Sequence, residues 1–274
     1  MSIILKDHAI VYGLQESEYR KSEGLSQSIL KEFIRSPRHY IHACETPFVP
    51  TPDMQMGSAF HSLMLDDAPQ YAVKKKVDGR TTEGKKYNAE FDALNAGEII
   101  INEEQEQKVF GMRDSFLAGT GEATNLYKET YKKDLEIALY ATAVTEFGDV
   151  RLKGRLDGWH FGSGTIWDFK KSGTSAEPHS FERMVRDRGY WVQAAMYEML
   201  ARASGLDVQR FVFIPVEDEP PHGFAAYSLN PHKKLKYLKN SPSEIVESAI
   251  SRFAWCQKNG IWNGYPDVVQ EIEV

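Results

Sequence analysis

Apolar positions recur along this chain with two different periods, and the change of period divides it into three stretches. In LSQSILKEFIRSPRHYIHA (25–43), Ile29, Leu30 and Phe33 follow at helical spacing behind Ser26, which suits an N-cap, until Pro37 interrupts the run. Residues 44–53 hold three prolines and predict a loop. MGSAFHSLMLD (56–66) predicts a short, largely buried helix. The polar, basic, glycine-containing stretch 74–90 (KKKVDGRTTEGKKYNAE) predicts a mobile loop. Residues 103–118 predict a helix with acids in the first turn, where the helix dipole favours them.

The middle of the chain alternates instead. EIALYATAVTEFGDVRLKGRLDGWHFGSGTIWDFKKS reads as three strands joined at the turns EFGD and GSG. The amphipathic stretch 180–205, ending in Gly205, predicts one helix, and RFVFIPVE (210–217) an apolar strand. A last helix is expected over 242–259, opening at the capping-box sequence SPSE. Helix, three antiparallel strands, helix and strand in that order predict an α/β (α+β) fold, a mixed central sheet flanked by helices. No internal repeat and no Pro/Gly/Ser linker divides the chain, so one domain is expected over 1–274. Its core motifs fall within 56–217, with an N-terminal helical segment at 24–43 and the C-terminal helix at 242–259.

Composition narrows the class without choosing it. The 274 residues are 42% hydrophobic and 26% charged, as in ordinary globular proteins. No apolar window of membrane-spanning length occurs, so no membrane partner is expected. MSIILKDHAIVYGL lacks a basic leader region and a small-residue cleavage site, and reads as mature sequence. Cys44 and Cys256 have no CxxC partner, which argues against a disulfide framework and a zinc site, and free thiols suit a reducing cytoplasm. The net charge of −6 argues against general affinity for nucleic acid, although local charge outweighs the sum. Basic residues do cluster, at Lys74–Lys76, Arg80 with Lys85 and Lys86, Arg151/Lys153/Arg155, Arg183/Arg186/Arg188 and Lys233–Lys239.

The candidate chemistry lies in LDGWHFGSGTIWDFKKS (156–172). Strand alternation sets Asp168 and Lys170 on one face and Trp167 and Phe169 on the other. The GSG turn folds Asp157 back towards Asp168 as a near cross-strand neighbour. Two converging carboxylates repel unless a proton or a cation lies between them. Oxygen donors suit a hard divalent ion, Mg²⁺ or Mn²⁺. Lys170 on the same face could orient or deprotonate a water, or stabilise charge on a phosphate. Together these groups suit metal-assisted phosphodiester hydrolysis. The competing reading is a surface hairpin with a solvated Asp–Lys pair, because D-x-K alone is common.

The flanking order separates the two readings. His61 lies on a preceding helix, Glu136 opens the first strand, and Gln193 and Tyr197 stand at i, i+4 on the following helix. In this order the chain resembles the PD-(D/E)XK nuclease superfamily, a restriction-endonuclease-like fold, and within it the branch of RecB-like nucleases and lambda-type exonuclease. Asp157 and Asp168-Phe169-Lys170 match the signature, Gln193-x-x-x-Tyr197 looks like QxxxY, and His61 is similar to the branch's first-motif histidine. LSQSILKEFIRSPRHY resembles its N-terminal segment, with Ser36 where several relatives carry an iron–sulfur cysteine, so no iron–sulfur cluster is expected. GRTTEGKKYNAEF followed by NEEQEQKVFGMRDSF resembles the RecE-type (exonuclease VIII-like) enzymes of phage recombination.

The resemblance implies roles. Asp157, Asp168 and His61 would be metal ligands for Mg²⁺, with Mn²⁺ substituting, and Lys170 would act on the attacking water. Glu136 would act on the metal through water or on the nucleophile. Gln193, Tyr197 and Tyr190 would contact DNA or buttress Lys170, while Arg80, Lys85, Arg35 and Arg38 would hold DNA phosphates. It further implies 5′-to-3′ digestion of linear double-stranded DNA leaving 3′ single-stranded tails, a ring-shaped homo-oligomer on DNA ends, and a single-strand annealing protein (RecT- or Redβ-like) as partner. A Cas4- or RecB-like nuclease acting on single strands or within a larger complex, and a non-enzymatic DNA-binding protein, are the alternatives.

Overall fold

The computed structural model describes residues 3–269. In chain order the elements are β1 (Ile4–Val11), α1 (Glu16–Lys21), α2 (Gln27–Arg35), α3 (Pro37–Glu45), α4 (Pro52–Leu65), β2 (Tyr71–Lys74), α5 (Thr82–Leu94), β3 (Ile99–Asn102), α6 (Glu103–Ala118) and α7 (Glu122–Glu129). There follow β4 (Leu135–Thr145), β5 (Gly148–His160), β6 (Thr165–Ser172), α8 (Pro178–Asp187), α9 (Tyr190–Ala203), β7 (Arg210–Glu217), β8 (Tyr227–Leu229) and α10 (Pro242–Asn259).

The expected three-strand meander is present as β4–β5–β6. It lies within a six-stranded sheet of order β1-β4-β5-β6-β7-β8, in which only β6 and β7 pair in parallel. A parallel pair needs a crossover, and α8 and α9 supply it. Helices cover both faces, which gives the mixed sheet between helical layers that the order of elements predicts. On one side, α2, α9 and α10 pack on Leu139, Leu152, Phe211 and Phe213. On the other, α4 and α6 pack on Trp167, Phe169, Val212 and Val216. Burial of each large side chain contributes about 1.5–3 kcal/mol, so the alternation along β6 and β7 serves both layers at once.

Several local expectations are corrected. The break at Pro37 is real, but Ser36 is the side chain that caps the next helix, accepting from His39 N; Ser26 makes no cap bond and pairs with Ser28. The basic stretch 74–90 is mostly ordered, as the end of β2 and the first turns of α5. Thr81 caps α5 by accepting from Gly84 N, and Lys85 and Lys86 lie on its exposed side. The helix expected over 180–205 is two helices, because Gly189 takes φ +61°, a left-handed conformation that glycine adopts without a Cβ clash. The helices at 103–118 and 242–259 stand as expected, each with a full capping box (Asn102/Gln105 and Ser241/Glu244).

One close approach lies next to Asp157 and Asp168 in the sheet. Gly158 on β5 pairs with Trp167 on β6, and the indole lies over the glycine, so a Cβ there would come 2.1 Å from a ring carbon. The ring has no room to retreat: it is fully buried and its Nε1 donates to Thr130 Oγ1 at 2.9 Å. Gly158→Ala should therefore lower folding stability by about 1–3 kcal/mol, the usual cost of overpacking a tight site. A urea titration with an unchanged midpoint would refute this.

Candidate active site

β5 and β6 stay in register for three pairs, His160–Thr165, Trp159–Ile166 and Gly158–Trp167, and the ladder then stops. The next facing residues are Asp157 and Asp168. There the Asp157 side chain takes the role of a strand: its Oδ2 accepts from Phe169 N at 2.8 Å. This bond holds the strands apart while keeping the amide satisfied. The two carboxylates named from the sequence are thus brought together by one backbone event.

α4 reaches the same point from the far layer. His61 Nε2 lies 3.0 Å from the Phe169 carbonyl oxygen, which fixes the tautomer with hydrogen on Nε2 and leaves the Nδ1 lone pair free. Nδ1 lies 3.3 Å from Asp157 Oδ2. Two donors bound cis at roughly 2.1 Å on an octahedral ion are about 3.0 Å apart. A ligating histidine whose second nitrogen donates to a main-chain carbonyl is also the ordinary supporting arrangement of a metal site.

Asp168 faces the opposite layer. Gln193 Nε2, from α9, donates to Oδ2, and Lys170 Nζ makes an ion pair with Oδ1. That contact is not aligned as a hydrogen bond, so Oδ1 is a buried acceptor without a donor. The described residues do not form a closed cluster of three or more His, Cys, Asp or Glu groups placed to hold an ion. With Lys170 drawn onto Asp168, the ammonium is the counter-charge in this arrangement. The donor set of one imidazole nitrogen and two carboxylates, with an undonated oxygen on Asp168, nonetheless fits a hard divalent cation.

The electrostatics separate the two acids. Burial disfavours ionisation of Asp157, but His61, Lys170 and the Phe169 amide outweigh it and hold the carboxyl below its usual range. Burial and the charge of Asp157 push Asp168 up to about 6. Burial opposes charge on Lys170 as well, yet Asp168, Tyr190 and Asp157 outweigh it, so its pKa is raised and it stays an ammonium. His61 follows the same logic: burial lowers it, the two aspartates overcome this, and the net direction is upward.

Glu136 lies on β4 between the registered pairs Leu135–Gly158 and Ile137–Leu156, opposite Asp157. It holds φ +50°, a left-handed conformation costing about 1–3 kcal/mol for a residue with a side chain. Its carboxylate pairs with Arg155 at 2.9 Å and faces Asp66, the residue that ends α4. Burial and the neighbouring acids Asp66 and Asp157 prevail over Arg155 and raise Glu136 to about 8.

Other expected residues fall in different places. Gln193, Tyr197 and Tyr190 are buried, so they position rather than touch a polymer outside. Gln193 holds Asp168 rather than Lys170. Tyr190 is the residue beneath Lys170, with Nζ 4.8 Å from the ring centroid. Tyr197 lies under β5 against Gly154. Arg80 and Lys85 are exposed on the α5 segment, Arg35 pairs with Glu32 at 3.4 Å, and the Arg38 side chain lies against Gly264. None of these four makes a hydrogen bond or ion pair with the Asp157–Asp168 group among the described residues.

Two residues had no signal in the sequence. Asp66 joins Glu136 only through the packing of α4 on the sheet. Lys31 of α2 lies 5.5 Å from the Tyr190 ring centroid on a ring shared with Lys170. Burial, and then the charge of Lys170, lower Lys31 to about 7.

A mixed sheet between helices, with Asp, Asp-x-Lys and a helix-borne histidine at its splayed end, defines a PD-(D/E)XK-type protein. The comparisons agree. The family described as a PDDEXK-like domain of unknown function (DUF3799) matches residues 26–272, so the chain belongs to that family, within the PD-(D/E)XK nuclease superfamily. A crystal structure from Eubacterium rectale, provisionally described as an exonuclease, shares the fold at TM-score 0.57 and 12% identity, covering 90% of this chain and 87% of that one. SSO0001 (TM-score 0.32, 12% identity, 81% and 83% covered) and Candida albicans Rai1 bound to pU5 and Mn²⁺ (0.27, 9%, 89% and 74%) are too distant to carry an argument. No curated protein matches the chain.

The raised pKa of Glu136 has a measurable consequence for stability. An acid whose pKa is higher folded than unfolded binds more protons in the native state, so stability falls as pH rises. For Glu136 the window runs from its ordinary 4.5 up to about 8. In metal-free protein, Glu136→Gln should therefore gain stability over wild type as pH rises through that window. Parallel pH-stability profiles from urea unfolding in EDTA would contradict it.

Proposed function

We propose that this protein is a divalent-metal-dependent nuclease that hydrolyses phosphodiester bonds of DNA. The observation that carries the reading is the meeting of Asp157, Asp168, Lys170 and His61 Nδ1 at the splayed end of β5 and β6. Asp157, Asp168 and His61 would hold the ion, with Mg²⁺ the expected metal and Mn²⁺ a substitute. When bound, it supplies a Lewis acid that neutralises the scissile phosphate and makes water a better nucleophile.

The protein's own groups do the rest. Lys170, held as an ammonium, donates to the attacking water or a phosphate oxygen and stabilises the negative charge that grows there. In that protonation state it orients the water and does not deprotonate it. Gln193 fixes the Asp168 carboxylate and Tyr190 supports the lysine stem, so neither group has to reorganise during reaction. Glu136, raised to about 8 and facing Asp157, carries its proton at neutral pH in the metal-free site and can act there as a proton donor.

The finer reading is a RecE-like exonuclease that digests linear duplex from the 5′ end and leaves 3′ tails for an annealing protein. It is supported by the resemblance of GRTTEGKKYNAEF, which runs into α5, and NEEQEQKVFGMRDSF, which forms α6 packed on the site helix α4. A homo-oligomeric ring around DNA would accompany that activity.

Linear duplex labelled at the 5′ or the 3′ end should be digested with Mg²⁺, with early loss of the 5′ label, and left intact in EDTA. Asp168→Asn and Lys170→Ala should each slow digestion by at least about 100-fold, measured below the melting temperature of each variant. Undiminished digestion by Asp168→Asn would sink the metal-site assignment. Early loss of the 3′ label would sink only the polarity.

A further inference from the structure

The acids at this site, on a chain of net charge −6, repel a polyanion, so a strand that reaches Asp168 must be held by cations not already matched within the protein. Most cations near the site are matched. Lys170 pairs with Asp168, Arg155 with Glu16 and Glu136, and Lys171 with Asp53 and Asp218.

Just past the end of β6 the surface is concave, with a cavity of about 390 Å³. Its walls are Asp53 from the start of α4, Gly173 and Thr174 after β6, and Arg183, Asp187 and Arg188 from the C-terminal end of α8 and the turn after it. Arg183 and Arg188 are exposed and have no hydrogen bond or ion pair among the described residues. The two acids in the wall are engaged: Asp53 binds Lys171 at 2.6 Å and Asp187 binds Arg186 at 2.8 Å. Lys171 is shared with Asp218 at 2.7 Å, so one carboxylate charge is left over against two free guanidinium groups.

The cavity walls come from the segments that carry the reacting groups. Gly57 packs against Lys171, one turn of α4 from His61 and one residue from Lys170. Arg188 precedes Gly189, against which Lys31 packs, and Tyr190, whose ring carries both Lys31 and Lys170. Thr174 follows Lys170 by four residues, at most about 13 Å of extended chain. At roughly 3.4 Å of rise per nucleotide, that is within about four nucleotides of the scissile phosphate.

We propose that this cavity is a subsite for the phosphodiester backbone of the strand being cut, with Arg183 and Arg188 as its phosphate ligands and Lys31 bridging it to the reacting centre. The proposal rests on the nuclease reading above and deepens it. Guanidinium groups suit the purpose because their fork of N–H donors matches phosphate oxygens, and such contacts set the register of the strand without reading its sequence.

The test is binding of fluorescently labelled linear duplex and single strand in EDTA at several salt concentrations, by wild type and by the Arg183→Ala/Arg188→Ala double variant. Melting curves verify that the variant folds. The variant should bind about tenfold or more weakly and lose about 2 units of slope in log Kd against log salt, equally for different base sequences. Affinity and slope equal to wild type overturn the subsite. So does a loss of affinity confined to one base sequence, since that is base readout. Wild type that digests DNA while the double variant binds normally refutes the subsite alone. Wild type that neither binds nor digests either substrate, with Mg²⁺ or Mn²⁺ added for digestion, refutes the nuclease reading and the subsite together.

Discussion

A main-chain amide that leaves a β-ladder inside a protein must find another acceptor, and here Phe169 N finds the Asp157 carboxylate. That bond is what the active end of the sheet depends on. It lets β5 and β6 separate after Gly158–Trp167 without leaving a buried donor unpaired. Separation opens the space in which Asp168, Lys170 and the His61 imidazole meet. The same peptide segment serves twice, because the Phe169 carbonyl also fixes the orientation of His61. The Phe169 ring, buried against Phe60, Phe116 and Tyr127, anchors this backbone from the other side.

Charge in this region is arranged by burial as much as by contact. Asp157 is ringed by His61, Lys170 and an amide and is held ionised, whereas Asp168 is buried beside that same negative charge and titrates higher. Two carboxylates of one chemistry thus differ in character through their surroundings alone. A divalent ion fits this balance, since it would supply the positive charge that Lys170 alone shares between them. Glu136, strained at φ +50° and facing Asp66, extends the acidic edge on the side away from α9. Arg155 ties that edge to Glu16 and Leu14 before and within α1.

The reading from sequence was best where the signal is local. The meander, the capping box at SPSE and the pairing of Asp157 with Asp168 follow from strand period, cap and turn chemistry within a few residues. It failed where local signal is weak or misleading. The lysine-rich run at 74–90 looked unstructured because charge dominates it, yet Thr81 and the helix-compatible TEGKKYNAEF support α5. The stretch 180–205 looked like one helix because its apolar period runs through Gly189, whose left-handed conformation leaves no mark on that period. β1 and the pair β2–β3 were missed, since their strands are held by partners far along the chain.

The order of residues in the chain was enough to single out the groups that meet in the structure: an acid, a turn, an acid and a lysine, preceded by a histidine and followed by Gln193, stand at recognisable spacings. Which of those groups touch, and which merely support, depended on packing. Gln193 supports Asp168, Tyr190 supports Lys170, and Tyr197 lies beneath β5, although all three share one helix. Asp66 and Lys31 became visible only when α4 and α2 were packed about the sheet, and the basic cluster of Arg183 and Arg188 gained its place beside the site only with α8. Side chains separated by a hundred residues have no common period to reveal them. Their juxtaposition arises from layers closing over a shared core, and that closure is a property of the whole chain.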